Sequence, residues 1–437
     1  MNVKSFKALL PKEMFFQSLV SLVIRIIAAL SGFLFSALVA RNLGAEQSGY
    51  FFLAFSIINI LSVVCCLGLD QSVLYFTGRA FATRNWSLVR SILVRSVVVA
   101  FIVGSILSLS VFLAADLAGD VFKKPELTPV LRAMSFAIVG LALVMLLGMS
   151  LQGLRRVTSS IFLVNVCGNV CLIIFLYKWP AMDLQDLALI YTFVSVIVVF
   201  LGFGYWWLVR PRLRSLDAKQ VDWNEISRYS RSLFVVVLIA QLIQWSSQLI
   251  AGIWVEPADL ARLAMAQRTA MLTSFVLLAV NLVVAPRFAS MHQDNDLAGI
   301  QELALSSTRL MTLLTLPVVL IMIFFPGLLM GFFGDDFVAG TYLLRILVVG
   351  QLINVITGPV NNLLIMTGNA DSMKSTMIMA GLIVVGCALI LIPLYGVIGA
   401  AIATALAVSA QNLIAVWYVR RRLSINIFTA WLTFRRK

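Results

Sequence analysis

Charge is scarce in this sequence. Only 12% of its residues are Asp, Glu, Lys or Arg, while 61% are hydrophobic; soluble domains average about 25% and 45–50%. A water-soluble chain of 437 residues cannot hide that much apolar surface, so the solvent it expects is a bilayer. Ten-residue segments of alternating polarity are missing, which excludes a membrane β-barrel. The apolar stretches are continuous and about 20 residues long, as spanning helices require. Histidine is absent apart from His292, and Cys65, Cys66, Cys167, Cys171 and Cys387 all lie in apolar stretches. That excludes a disulfide framework and a Cys/His zinc site, leaving small apolar packing residues. Acids are missing from the middle of every span: Asp70 closes the second, and Glu256 and Asp259 stand at the outer ends of the seventh and eighth. A carrier for organic cations, or a carboxylate proton relay at the midplane, is thereby disfavoured. The first apolar run, Met14 to Ala40, exceeds the roughly 7–15 residues of a signal-peptide core, so no cleavable leader is expected.

What charge there is marks topology. The net charge of +14 would suit nucleic acid, but the basic residues cluster at the ends of apolar stretches, so no nucleic acid is expected as a partner. Twelve spans are read near 15–40, 48–69, 88–115, 130–154, 159–177, 186–209, 230–254, 264–285, 308–333, 338–367, 375–394 and 397–419. With the N-terminus inside, the cytoplasmic segments hold Lys4, Lys7, Lys12, Arg79, Arg84, Arg155, Arg156, Arg210, Arg212, Arg214, Lys219, Arg228, Arg231, Arg287, Lys374 and the tail from Arg420 to Lys437. The outer loops hold chiefly Arg41, Lys123, Lys124, Lys178 and Arg262. The roughly threefold excess puts both termini in the cytoplasm.

The fold class expected is therefore all-α integral membrane, with about twelve transmembrane helices in two six-helix bundles, 1–215 and 216–437. The halves echo each other. Leu131-Arg132-Ala133 and Leu344-Arg345-Ile346 open the fourth and tenth spans, Gln152-Gly153 and Thr367-Gly368 close them, and Leu176-Tyr177 matches Leu394-Tyr395. The offset stays at 213–218 residues, as a parallel six-helix duplication requires.

Polar residues at membrane depth mark candidate sites. Arg25 lies 13 residues beyond Lys12, about 20 Å along a helix, and shares a stripe with Ser18, Ser21, Gly32 and Ser36. Arg268 and Arg345 sit about two turns inside the eighth and tenth spans. Gln241, Gln244 and Gln248 share a face of the seventh span with Trp245. Gln351, Asn354, Gly358 and Asn362 share one of the tenth, where Pro359 loosens the helix. Asn165 and Asn169 repeat the pattern on the fifth. Two readings stand for the amides: lining a hydrated cavity, or hydrogen-bonding neighbouring helices for roughly 0.6–2 kcal/mol each. Arg268 and Arg345 could equally be outer-boundary charges meeting Asp259, Asp335 or Asp336, and Arg25 a structural arginine bonded to backbone carbonyls. A cavity of arginine and amides suits an anion, since guanidinium forks match diphosphate oxygens.

Several short motifs carry a resemblance over essentially the whole chain. They are Ala40-Arg41-Asn42-Leu43-Gly44 with Gly49-Tyr50, Leu67-Gly68-Leu69-Asp70, Ala285-Pro286-Arg287-Phe288 and Phe333-Gly334-Asp335-Asp336-Phe337. The fifth is Ile392-Pro393-Leu394-Tyr395-Gly396-Val397-Ile398-Gly399-Ala400-Ala401. In this order the chain resembles the polysaccharide-export flippases of the multidrug/oligosaccharidyl-lipid/polysaccharide (MOP) exporter superfamily, the O-antigen-type lipid-linked oligosaccharide flippases in particular. The resemblance implies a MATE-like V of two bundles around a central cavity. It implies alternating access that moves an undecaprenyl-diphosphate-linked repeat unit of O-antigen or exopolysaccharide to the outer leaflet of the cell inner membrane. It assigns Arg25 and Arg268 to a diphosphate clamp, with Arg345 as a further candidate, and no catalytic or metal site. Gln241, Gln244, Gln248, Asn354 and Asn362 complete the expected substrate-binding set. The coupling ion, H+ or Na+, is left unassigned, and no cofactor is expected. Partners are the lipid-linked oligosaccharide, the bilayer, and a polysaccharide polymerase and chain-length regulator.

Three other readings compete. A MATE-like drug exporter shares the fold but would want interior carboxylates. A membrane polysaccharide polymerase or ligase would want a large outer loop, and none here exceeds about 20 residues on the span reading. A structural subunit without transport of its own is the third.

Overall fold

The computed structural model describes residues 12–179, 182–210 and 223–427. The boundary expected after Ser215 lies outside the described residues, as do Lys4, Lys7, Arg212, Arg214, Lys219, Arg435, Arg436 and Lys437.

Long apolar helices dominate. Among the described residues nine are long and apolar enough to cross a membrane, or ten if a pair bent by 42° counts as one span. The helices used below are α1 (Lys12–Cys65), α2 (Leu69–Ala82), α3 (Trp86–Leu113), and the bent pair α4 (Leu127–Met134) and α5 (Ala137–Gly153). Next come α6 (Val157–Lys178), α7 (Leu184–Val209), α8 (Trp223–Trp254), α9 (Pro257–Gln293) and α10 (Leu297–Phe324). Last are α11 (Thr341–Thr357), α12 (Val360–Met366) and α13 (Ala370–Leu423).

The first and last of these are each 54 residues long. A straight helix of that length would measure about 80 Å, against a hydrocarbon core of about 30 Å. Each is broken once, at Gly44 (φ 71°, ψ −179°) and at Gly396 (φ 58°, ψ −135°), where a residue with a Cβ would be strained. Each therefore supplies two crossings. With the bent pair taken as one span, the crossings reach the twelve expected.

Local chemistry sets the ends. Asn85 caps α3 by accepting from the Leu88 amide at 3.1 Å, and Asp296 caps α10 by accepting from Gly299 at 2.8 Å. Pro257 opens α9 at a position where its missing N–H costs nothing. Large apolar side chains are turned outward, among them Phe200, Leu208, Leu313 and Leu328, each at least 70% exposed. That would be ruinous in water and is ordinary in lipid.

The chain packs as two compact units. One holds the described chain through Leu43 and the described residues from Ala54 to Leu238; the other holds Gly44–Leu53 and the described chain from Ile239 onward. In the first, small residues let helices approach: Gly140 meets Ser195, and Gly153 meets Thr77. The second has a core of Phe288, Met311, Val355, Val360, Leu363, Ala415 and Val419, and Gly350 packs on Ala405. α8 is shared, its first half belonging to one unit and its second half to the other.

Candidate functional site

The second unit encloses a cavity of about 330 Å³, within the range of ligand pockets. Its walls come from the second half of α8, from α9, from α11 and α12, and from the stretch of α13 after Gly396. Gln244, Trp245 and Gln248 enter from α8, and Gln267 and Arg268 from α9. Gln351, Asn354 and Asn361 enter from α11 and α12, and Thr404, Gln411 and Asn412 from α13. Among the described residues no Asp or Glu lines it, and the one charged residue that does is Arg268.

Each polar wall is held by its neighbours. Trp245 Nε1 donates to Gln241 Oε1 at 3.0 Å, so Gln241, one turn back, fixes the indole. Gln248 is 3% exposed and donates through Nε2 to the carbonyl of Phe52 at 3.0 Å. The Arg268 guanidinium lies over the ring of the same Phe52, 4.6 Å from its centroid, a cation–π contact worth about 0.5–2 kcal/mol. Phe52 thus ties the amide of α8 and the cation of α9 to one point. Asn354 Nδ2 and Ser274 Oγ donate to Gln351 Oε1 at 3.2 and 3.4 Å. Gln267 Nε2 donates to Thr404 Oγ1 at 3.4 Å, and Asn361 Nδ2 to Asn412 Oδ1 at 3.4 Å. Asn361 Oδ1 is buried and has no hydrogen-bond partner. The arrangement offers amide donors and acceptors, one indole and one guanidinium, the set that reads hydroxyls and an anion.

The structure brings Arg268, Gln244, Gln248 and Asn354 to this cavity, with Gln241 behind Trp245. Arg345 and Asn362 are not among its lining residues. Arg345 is exposed and donates through Nε to the carbonyl of Ile323 at 3.1 Å, next to the end of α10, where a cation complements the helix dipole. Among the outer acids, Asp259 pairs with Arg262 at 2.7 Å, and Arg262 also donates to the Asp336 carbonyl at 2.8 Å. Gln267, Asn361, Thr404, Gln411 and Asn412 were not singled out from sequence. A usable signal exists in α13, where Thr404, Val408, Gln411 and Asn412 recur at helical spacing through an otherwise apolar span.

Arg25 belongs to the first unit. It is half-buried in α1, and its Nε is buried without a hydrogen-bond partner. Such a group at membrane depth is costly unless water or a ligand reaches it. Six residues on, Ser31 binds α6: its hydroxyl accepts from Asn169 Nδ2 at 3.4 Å and reaches the Asn165 carbonyl at 3.5 Å. Asn165 lies in a π-helical segment, Phe162–Cys167. The Asn169 side chain therefore links the two helices, whereas Asn165 contributes only its backbone carbonyl and its amide donates to Ile161 within α6.

Comparisons agree with this architecture. A family model described as polysaccharide biosynthesis protein matches residues 17–292, and the MatE model matches residues 232–394. A probable low-salt glycan biosynthesis flippase of Haloferax volcanii, Agl15, is 24% identical over 391 residues, covering 89% of this chain and 79% of that protein. The inward-facing structure of a multidrug resistance MATE family transporter of the MOP superfamily superposes with a TM-score of 0.77 at 16% identity, covering 95% of this chain and 99% of the other. The lipid II flippase MurJ, in an inward closed conformation, gives 0.71 at 13% identity, covering 95% and 91%. Its fold is that of the MOP superfamily structures it superposes on, and with most of its length matched by that family model this chain belongs to the polysaccharide biosynthesis protein family.

Proposed function

We propose that this protein flips an undecaprenyl-diphosphate-linked oligosaccharide, an O-antigen or exopolysaccharide repeat unit, from the cytoplasmic to the outer leaflet of the cell inner membrane. The observation that carries the reading is the cavity of the second unit, where, among the described residues, Arg268 is the one charge amid amides and Trp245 and no acid lines the wall. Arg268 binds diphosphate oxygens, and the amides and indole take sugar hydroxyls and faces. Arg25 is the cation the diphosphate meets in the first unit. Transport proceeds by alternating access, with 1–215 and 216–437 as the six-helix halves that alternate. The similarity to a glycan biosynthesis flippase supports this substrate class. The MatE match supports a drug exporter as the second reading, but an organic cation would find no carboxylate in this cavity.

Cells test the reading. Loss of a flippase strands single repeat units on the cytoplasmic face, whereas loss of a polymerase leaves single units capped onto the outer acceptor. Deletion is expected to give the first pattern, and Arg25→Ala and Arg268→Ala, inserted at normal levels, should reproduce it. Normal export by both variants would overturn the assignment of the diphosphate to these arginines; capped single units on deletion would overturn the flippase reading.

A further inference from the structure

After the break at Gly44 the chain re-enters helix, and Gly44–Leu53 packs with the second unit although the rest of α1 does not. The turn is tied locally, since the Ser48 hydroxyl donates to the Gly44 carbonyl beside the break. Gly49 then lies against the carbonyl of Pro257, the first residue of α9, so closely that a Cβ on it would overlap that oxygen. A small residue is what lets two backbones approach this far. The segment is thereby seated on the helix that carries Arg268, and Phe52 follows three residues later. Phe52 is fully buried, and its ring meets that of Phe51 edge to face, with centroids 5.8 Å apart and planes at 73°.

Two groups of this one residue act on the cavity wall. The ring lies beneath the Arg268 guanidinium, and the carbonyl accepts from Gln248 Nε2. Phe52 is not itself among the lining residues, so whatever it does for a ligand it does through those two. What supports a cation decides what the cation can still bind. A carboxylate under Arg268 would hold the guanidinium but cancel its charge toward an incoming anion. A ring face attracts the cation through its quadrupole and adds no net charge. An arginine that is free to rotate loses rotamer entropy when it closes on a ligand; one already held on a rigid ring loses less.

We propose that Phe52 is a positioning residue for this cavity: its ring pre-orients the Arg268 guanidinium for a phosphate-type anion and leaves the charge uncancelled, while its carbonyl holds Gln248 alongside. The proposal rests on the flippase reading for the identity of that anion, a diphosphate. Its physical content is separate, because ring support acts on the cation whatever the anion is attached to. The short stretch between the break at Gly44 and Leu53 is then part of the binding apparatus, although it contributes no side chain to the cavity surface.

The test replaces Phe52 in the full-length protein with phenylalanines carrying one, two and three ring fluorines, which draw charge from the ring face and leave its size nearly unchanged. Binding of inorganic pyrophosphate to the protein in detergent is measured by calorimetry. Affinity is expected to fall step by step along the series, to a total loss of about 2- to 30-fold, the span of a cation–π contact. Phe52→Leu, which removes the face, should match the trifluorinated chain or bind more weakly. A flat series overturns the proposal, since packing alone does not sense the ring's charge; wild-type affinity in Phe52→Leu, or no pyrophosphate binding by the folded wild type, overturns it too. Translocation of the lipid-linked oligosaccharide judges the flippase reading by itself. A wild type that shows the stepwise loss yet moves no such lipid keeps the positioning role and rejects that reading.

Discussion

α8 uses polar residues in two ways along one helix. Its first half places Glu225, Tyr229 and Ser230 against α2, where each has a partner and the contacts are those of helix packing. Its second half places Gln244, Trp245 and Gln248 on a cavity shared with Arg268. Hydrogen bonds there fix side chains in position without exhausting them: Gln244 stays exposed while Gln248 is anchored to Phe52. Polarity along a helix is thus informative only once its partners are known, because polar side chains serve as glue in one unit and as a wall in the other.

Substitutions can break this contrast. The largest effect is expected from Arg268→Ala, a loss of roughly 10- to 100-fold in translocation, the scale of a lost charge-assisted bond. Arg268→Lys should recover only part, since an ammonium keeps the charge without the fork. Next is Gln248→Leu, which removes the bond from α8 to the Phe52 carbonyl; a stability loss of about 0.6–2 kcal/mol is expected in thermal unfolding in detergent. Gln244→Ala, on an exposed side chain, should weaken substrate binding and leave that unfolding unchanged. Arg345→Ala should alter translocation by about twofold or less, as for substitutions away from buried networks. Smallest is Arg79→Ala, whose exposed pair with Glu225 contributes at most about 1 kcal/mol, further reduced by salt.

The crossings were legible because lipid selects for long apolar runs, and the break at Tyr395-Gly396 because little else separates two spans there. The polar run Arg41–Gln47 reads as a loop, yet helix continues through it and only Gly44 turns. The π-helical segment at Asn165 and the short 3₁₀ break at Met271–Thr273 inside α9 leave no mark in hydropathy. On α8 the cavity face was legible, since Gln244 and Gln248 keep strict helical spacing. On the tenth span the expected face assumed one unbroken register from Gln351 to Asn362. The break at Gly358 (φ 72°, ψ −152°) resets that register, so Asn361 reaches the cavity and Asn362 does not. Arg268 and Arg345 looked alike in sequence; Phe52 beneath one and the end of α10 beside the other distinguish them.

The most direct measurement is translocation of a labelled undecaprenyl-diphosphate oligosaccharide in proteoliposomes by wild type, Arg268→Ala and Arg345→Ala. Movement by wild type and Arg345→Ala at similar rates, and by Arg268→Ala roughly 10- to 100-fold more slowly, is the expected result. Wild-type rates in Arg268→Ala, or no movement by well-folded wild type across several sugar heads and ion gradients, would contradict the account.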